Sequence, residues 1–131
     1  MKLKMLFVAT AVISLANGIV TLVSPATQLS LYGITLNAGT AHMAQWAGLG
    51  SVVVGLLAWF GKRNENPEVE RAFLWILLIY HLAAAVLSTL GASSHVVGAG
   101  GWLLGVTTGL FAMAYAFFLA RNVRSQGRGA T

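Results

Sequence analysis

The chain has no cysteine, and its 131 residues include only three carboxylates, Glu65, Glu68 and Glu70. The missing thiols exclude disulfides, thiolate metal sites and thiol nucleophiles. They also exclude the quinone-coupled disulfide chemistry that some four-helix membrane enzymes perform. Charge is scarce, at 8% of residues against about 25% in a soluble domain. Hydrophobic residues make up 57%, and a soluble chain this short leaves too much surface exposed to hide them. No phosphate loop, nucleophile elbow or metalloprotease motif is present, and no motif calls for a cofactor.

What the sequence does hold is four apolar runs, Leu3–Val23, Ala41–Phe60, Ala72–Leu90 and Val97–Ala120. Each is about 19–24 residues long, enough at 1.5 Å per residue to cross a hydrocarbon core of roughly 30 Å. Backbone groups in lipid must pair internally, so such runs are helices. The expected fold is therefore an all-α integral membrane protein, a single four-helix antiparallel bundle over residues 1–131. The N-terminus resembles a signal peptide with a cut after Ala16, but its apolar run continues to Val23, so it is expected to stay as the first span.

The cations give the threading. With the N-terminus inside, Lys2, Lys4, Lys62, Arg63, Arg71, Arg121, Arg124 and Arg128 all fall in the cytoplasm, and neither outer connection carries a charge. This is the positive-inside pattern, and it implies a bacterial inner membrane with both termini cytoplasmic. The net charge of +5 does not indicate nucleic acid, because the cations flank apolar runs and form no basic face. Their partners are the headgroups of the lipid bilayer. Trp59 and Trp75 mark the inner interface, Trp46 and Trp102 the outer one.

The connections carry their own signals. Ser24 and Pro25 read as N-cap and first residue of a short interfacial helix over 25–32, closed by Gly33. Asn37-Ala38-Gly39 reads as a turn before the second span. Asn66-Pro67 starts the third, with Glu68 and Glu70 at the positive end of its dipole. Gly91–His95 is a tight turn, and the cytoplasmic tail 121–131 is expected to fray from Asn122. Trp46, Ser51, Ala58 and Trp59 align with Trp102, Thr107, Ala114 and Tyr115, as in a duplication of two hairpins.

Helix association in lipid depends on close backbone approach. Gly101, Gly105 and Gly109 form a small-residue stripe of the glycine-zipper kind. Ala44, Gly48, Ser51, Gly55 and Ala58 form another. The two stripes are expected either to pack spans two and four together or to join protomers.

No Asp, Glu, Lys or Arg lies inside a span, which removes the usual device of proton-coupled transport. Thr10, Ser14, Asn17 and Thr21 make a polar stripe on the first span. Asn17 needs a partner in hydrocarbon, with Gln45, Ser88 and Thr107 at similar depth. His81 is the one ionisable side chain near mid-membrane, and a network shared with Asn17 is expected. His42 and His95 are a two-histidine metal candidate without carboxylate support.

The segments "SPATQLSLYGITLNAGT", "WAGLGSVVVGLLAWFGKR" and "GWLLGVTTGLFAMAYAFFLAR" resemble a family of small four-helix inner-membrane proteins of bacteria, broadly similar in layout to DoxX-like proteins. No catalytic residue carries over from that resemblance. Three functions stay open. The first is a non-enzymatic accessory or assembly subunit of a larger membrane complex, or a small homo-oligomer. The second is a small transporter or channel with an outward polar pocket around Asn17, Gln45 and His81. The third is a binder of a quinone or other lipid-soluble cofactor, lined by Trp46, His81 and Trp102.

Overall fold

The computed structural model describes residues 2–127, with side chains through Asn122, and among these described residues the regular secondary structure is all helical. The helices are α1 (Leu3–Val23), α2 (Pro25–Leu31), α3 (Ala38–Gly61), α4 (Pro67–Ser93) and α5 (Ala99–Gly127). Four of them are long and apolar enough to cross a membrane, the architecture of a multi-pass membrane protein. The aliphatic side chains left exposed, such as Leu87 and Leu103, are those that lipid would cover.

Two helix pairs, α1 with α3 and α4 with α5, pack tightly and antiparallel. Lighter α3–α4 and α1–α5 contacts close them into a ring. Lys2, Lys4, Lys62, Arg63, Arg71 and Arg121 all fall at one end, here the charged end. Arg128 and the side chain of Arg124 fall outside the described residues. Helix α2 lies at the opposite end.

Capping explains where the helices depart from the apolar runs. Asn37 accepts from Thr40 N–H while Thr40 Oγ1 accepts from Asn37 N–H, both at 2.9 Å. This capping box places Ala38 and Gly39 inside α3, correcting their reading as a turn. The Asn66 side chain accepts from Glu68 N–H and Val69 N–H, so α4 begins at Pro67 as expected. Ser24 occupies the cap position of α2, but its hydroxyl pairs with that of Thr27 at 2.8 Å and caps no backbone amide. Gly33 closes α2 with a φ of +66°, a conformation glycine adopts without strain. The last turn runs later than the apolar pattern implied, between Ser93 and Ala99, with His95 at φ +58°. Helix α5 continues through Gly127 instead of fraying from Asn122; residues 128–131 fall outside the described residues. Asn122 Nδ2 donates to Glu70 Oε1 at 3.2 Å, tying the tail of α5 to the start of α4.

The core sits in the charged half. Leu6, Phe7 and Ala11 from α1 meet Val54 and Ala58 from α3, Leu74 and Leu77 from α4, and Tyr115 and Leu119 from α5. Tyr115 is fully buried and shares a 2.6 Å hydrogen bond with Thr10, which joins the two helix pairs.

The glycines pack within the pairs, not between spans two and four. A Cβ on Gly18 would lie 2.7 Å from the Gly48 carbonyl oxygen, and one on Gly55 would lie 2.6 Å from Leu15 Cγ and 2.9 Å from its nitrogen. These contacts seat α3 on α1. On α5, a Cβ on Gly101 or Gly105 would crowd Val97 at 2.5 Å or Thr89 Oγ1 at 2.8 Å, whereas one on Gly109 would reach only Ala85 Cβ at 4.0 Å. The expected packing of one small stripe against the other fails because α3 and α5 are diagonal in the ring. The two-hairpin layout is present, but the buried faces match one residue later than the tryptophan alignment. Gly48, Gly55 and Ala58 correspond to Gly105, Ala112 and Tyr115, all buried.

Gly55→Ala should lower the detergent melting temperature, since its clash of about 1–3 kcal/mol exceeds the helix-propensity gain of at most about 1 kcal/mol. Gly109→Ala should leave it unchanged or raise it. Equal effects of the two in a thermal melt would contradict the packing described.

Candidate functional site

In the other half of the ring the facing residues are small, and the helices do not fill the space between them. Ala44, Ala47 and Gly48 on α3, Ala84 on α4, and Thr21 and Thr108 on α1 and α5 line a cavity of about 740 Å³. That size is ordinary for a small-molecule site. Helix α2 roofs it with Gln28, Leu29 and Tyr32, and Ile34 follows.

The roof is held on both sides. Gln28 Nε2 donates to Asn17 Oδ1 at 3.1 Å and to the Tyr32 hydroxyl at 3.0 Å. Asn17 Nδ2 donates to Ser51 Oγ at 3.2 Å. One chain of hydrogen bonds thus joins α1, α2 and α3 at the cavity wall. On the far side Gly98 N–H donates to the Tyr32 carbonyl at 2.6 Å. The first turn of α5 also touches the roof, where a Cβ on Gly100 would collide with the Leu31 carbonyl oxygen. Glycine there lets two backbones meet. Burial pushes the Tyr32 phenol above its ordinary pKa, and the hydrogen bond from Gln28 pulls it part of the way back, so the group is a neutral donor at physiological pH.

Of the residues singled out from sequence, Asn17, Thr21, Ala44, Gly48 and Ser51 line this cavity, and Gln45, Trp46, His81 and Trp102 do not. Gln45 is exposed on α3. Trp46 and Trp102 are 61% and 50% exposed, and Trp46 Nε1 donates to His42 Nε2 at 3.0 Å. A site built from Trp46, His81 and Trp102 is therefore not assembled. The expected Asn17–His81 network is not formed either. His81 Nδ1–H donates to the Leu77 carbonyl at 2.7 Å, and its ring lies 5.3 Å from Phe111 and 5.4 Å from Tyr115. Thr10 marks the level of Tyr115 on α1, and Asn17 lies about 10 Å beyond it by helical rise. His81 lies midway along α4, at the level of Tyr115, and not in the half of the bundle toward α2 where Asn17 lies. Ser88 is half-buried off the cavity, and Thr107 bonds its own helix at Leu103. His95 sits in the α4–α5 turn. No group of three or more His, Asp or Glu suited to a metal ion occurs among the described residues.

Gln28, Tyr32 and Thr108 were not singled out from sequence. The spacing of Gln28 and Tyr32, four apart on a helical segment, was the available signal. Thr108 continues the buried positions Gly101 and Gly105 at helical period, which its neighbour Thr107 does not.

Comparison with family models, curated proteins and solved structures finds no match to this chain.

Asn17→Leu leaves Gln28 and Ser51 without their partner and should cost about 1–2 kcal/mol. Adding Gln28→Leu should recover part of that loss. Additive effects in a double-mutant cycle of denaturation midpoints would show that the two amides are not coupled.

Proposed function

We propose that the protein is a multi-pass protein of the bacterial inner membrane that binds a lipid-soluble small molecule in the cavity beneath α2. The carrying observation is the cavity itself. It combines walls of small apolar side chains with one cluster of convergent polar groups, the make-up of ligand sites in general. The cation distribution supports an orientation with the charged end cytoplasmic and the cavity in the outer half of the membrane. Asn17, Gln28, Tyr32 and Ser51 orient the polar end of the ligand, and Ala44, Ala84 and Leu104 contact its apolar part.

A second reading, the accessory subunit or homo-oligomer, draws on the lipid-side groove between α4 and α5. There Val106, Gly109, Leu110 and Met113 border a space of about 660 Å³. A partner helix in that groove should be captured by a cross-linker at Met113 in native membranes.

Two measurements test the first reading. Single cysteines at Thr35 and Ser94 should react with an impermeant reagent from outside, and one at Asn64 should not. Mass spectrometry of extracts from the purified protein should show lipophilic compounds retained by the wild type and lost, by tenfold or more, from Ala84→Phe, which fills the cavity. Leu82→Phe, on the exposed side of α4, should retain them. Equal retention by all three proteins would refute the site.

A further inference from the structure

We infer that the ligand is an uncharged amphiphile whose head accepts hydrogen bonds through carbonyl or ester oxygen and whose tail leaves sideways between α3 and α4. This rests on the ligand-binding reading and narrows it to a chemical class.

The first ground is charge. The nineteen residues lining the cavity include no Asp, Glu, Lys, Arg or His. A carboxylate, phosphate or ammonium head placed there would lose its hydration and meet no counter-charge. A neutral head loses far less.

The second ground is the balance of donors and acceptors. Gln28 spends both amide hydrogens, one on Asn17 and one on Tyr32. Tyr32 and Ser51 each accept a hydrogen bond through oxygen, from Gln28 and Asn17. Each hydroxyl therefore still has its own hydrogen to give, and neither has an acceptor among the described residues. Thr108 is not available, since its hydroxyl donates to the Leu104 carbonyl at 2.7 Å. The wall thus offers two O–H donors, one from Tyr32 just past α2 and one from Ser51 on α3, with Gln28 Oε1 as an acceptor on the same hydrogen-bonded chain. Donors of this kind suit the acceptor oxygens of a carbonyl or ester head.

The third ground is the exit. Five lining residues are exposed: Asn37 and Gly39 at the start of α3, Met43 and Ala47 farther along it, and Tyr80 on α4. Met43, Ala47 and Tyr80 mark the seam where α3 and α4 make only light contact. The roof is tied to the start of α5 by the Gly98–Tyr32 bond. An alkyl chain therefore has an apolar path into the bilayer through the side.

The test holds the tail constant and varies the head. Purified protein in detergent is titrated with methyl oleate, 1-oleoylglycerol, oleyl phosphate and oleyltrimethylammonium, and the thermal midpoint is followed by intrinsic fluorescence. Ligands that bind the folded state raise the midpoint with concentration. Methyl oleate and 1-oleoylglycerol should bind at least tenfold more tightly than either charged probe. Tyr32→Phe and Ser51→Ala should each weaken methyl oleate about threefold to tenfold, the loss of one hydrogen bond, with unliganded midpoints reporting the fold. A charged probe binding as tightly as methyl oleate would overturn this inference and leave the cavity reading standing. Midpoints unmoved by all four probes would overturn both. The four-probe comparison on the wild type decides the question even if a variant folds poorly.

Discussion

Tyr115 is the point on which the bundle closes. Its hydroxyl is bonded to Thr10 on α1, its ring is 6.1 Å from Phe7, and it lies against His81 of α4. It therefore joins three of the four spanning helices at one level. A hydroxyl pair between helices in lipid contributes only about 0.6 kcal/mol on average, so shape carries the rest. A fully buried aromatic ring at that level sets how far apart the two helix pairs stand. Everything toward α2 inherits that separation while its own side chains shrink to alanine, glycine and threonine. The cavity follows from large residues at one end of a ring and small ones at the other.

The glycines act on a different axis. Close approach of α1 to α3, and of α4 to α5, makes each pair rigid within itself. Between pairs the contacts are lighter. A bundle built this way has two stiff units joined by a core at the charged end and by backbone contact between the α2 roof and the start of α5. Space between the units costs nothing in helix hydrogen bonds, because every spanning helix satisfies its own backbone.

Much of this was legible in the sequence. Apolar length gave four spans, and Asn66-Pro67 and Gly33 gave local boundaries, because these signals act through neighbouring residues. The polar stripe of α1 correctly marked Asn17 as needing a partner. Its partners were not legible, because Gln28 reaches it only once α2 folds back over α1, and Ser51 only once the glycines bring α3 close. His81 lies near the middle of α4, as its place in the apolar run implied. Its neighbours were not legible, because ring order sets Phe111 and Tyr115 beside it, while Asn17 lies nearer α2. The small stripes were seen, but a stripe does not name its partner, and ring order decided that α3 faces α1.

The single residue between α1 and α2 has a mechanical consequence. Ser24 is too short a link for the roof to swing on, and the Asn17–Gln28 bond braces the same corner. Helices α1 and α2 therefore move as one bent lever. The other end of α2 passes into the irregular stretch from Gly33 to Asn37, which is pinned by Ile34 N–H on the Leu29 carbonyl and by Thr40 Oγ1 on the Thr35 carbonyl. The position of the roof is therefore coupled to that of α1, the helix on which Thr10 meets Tyr115.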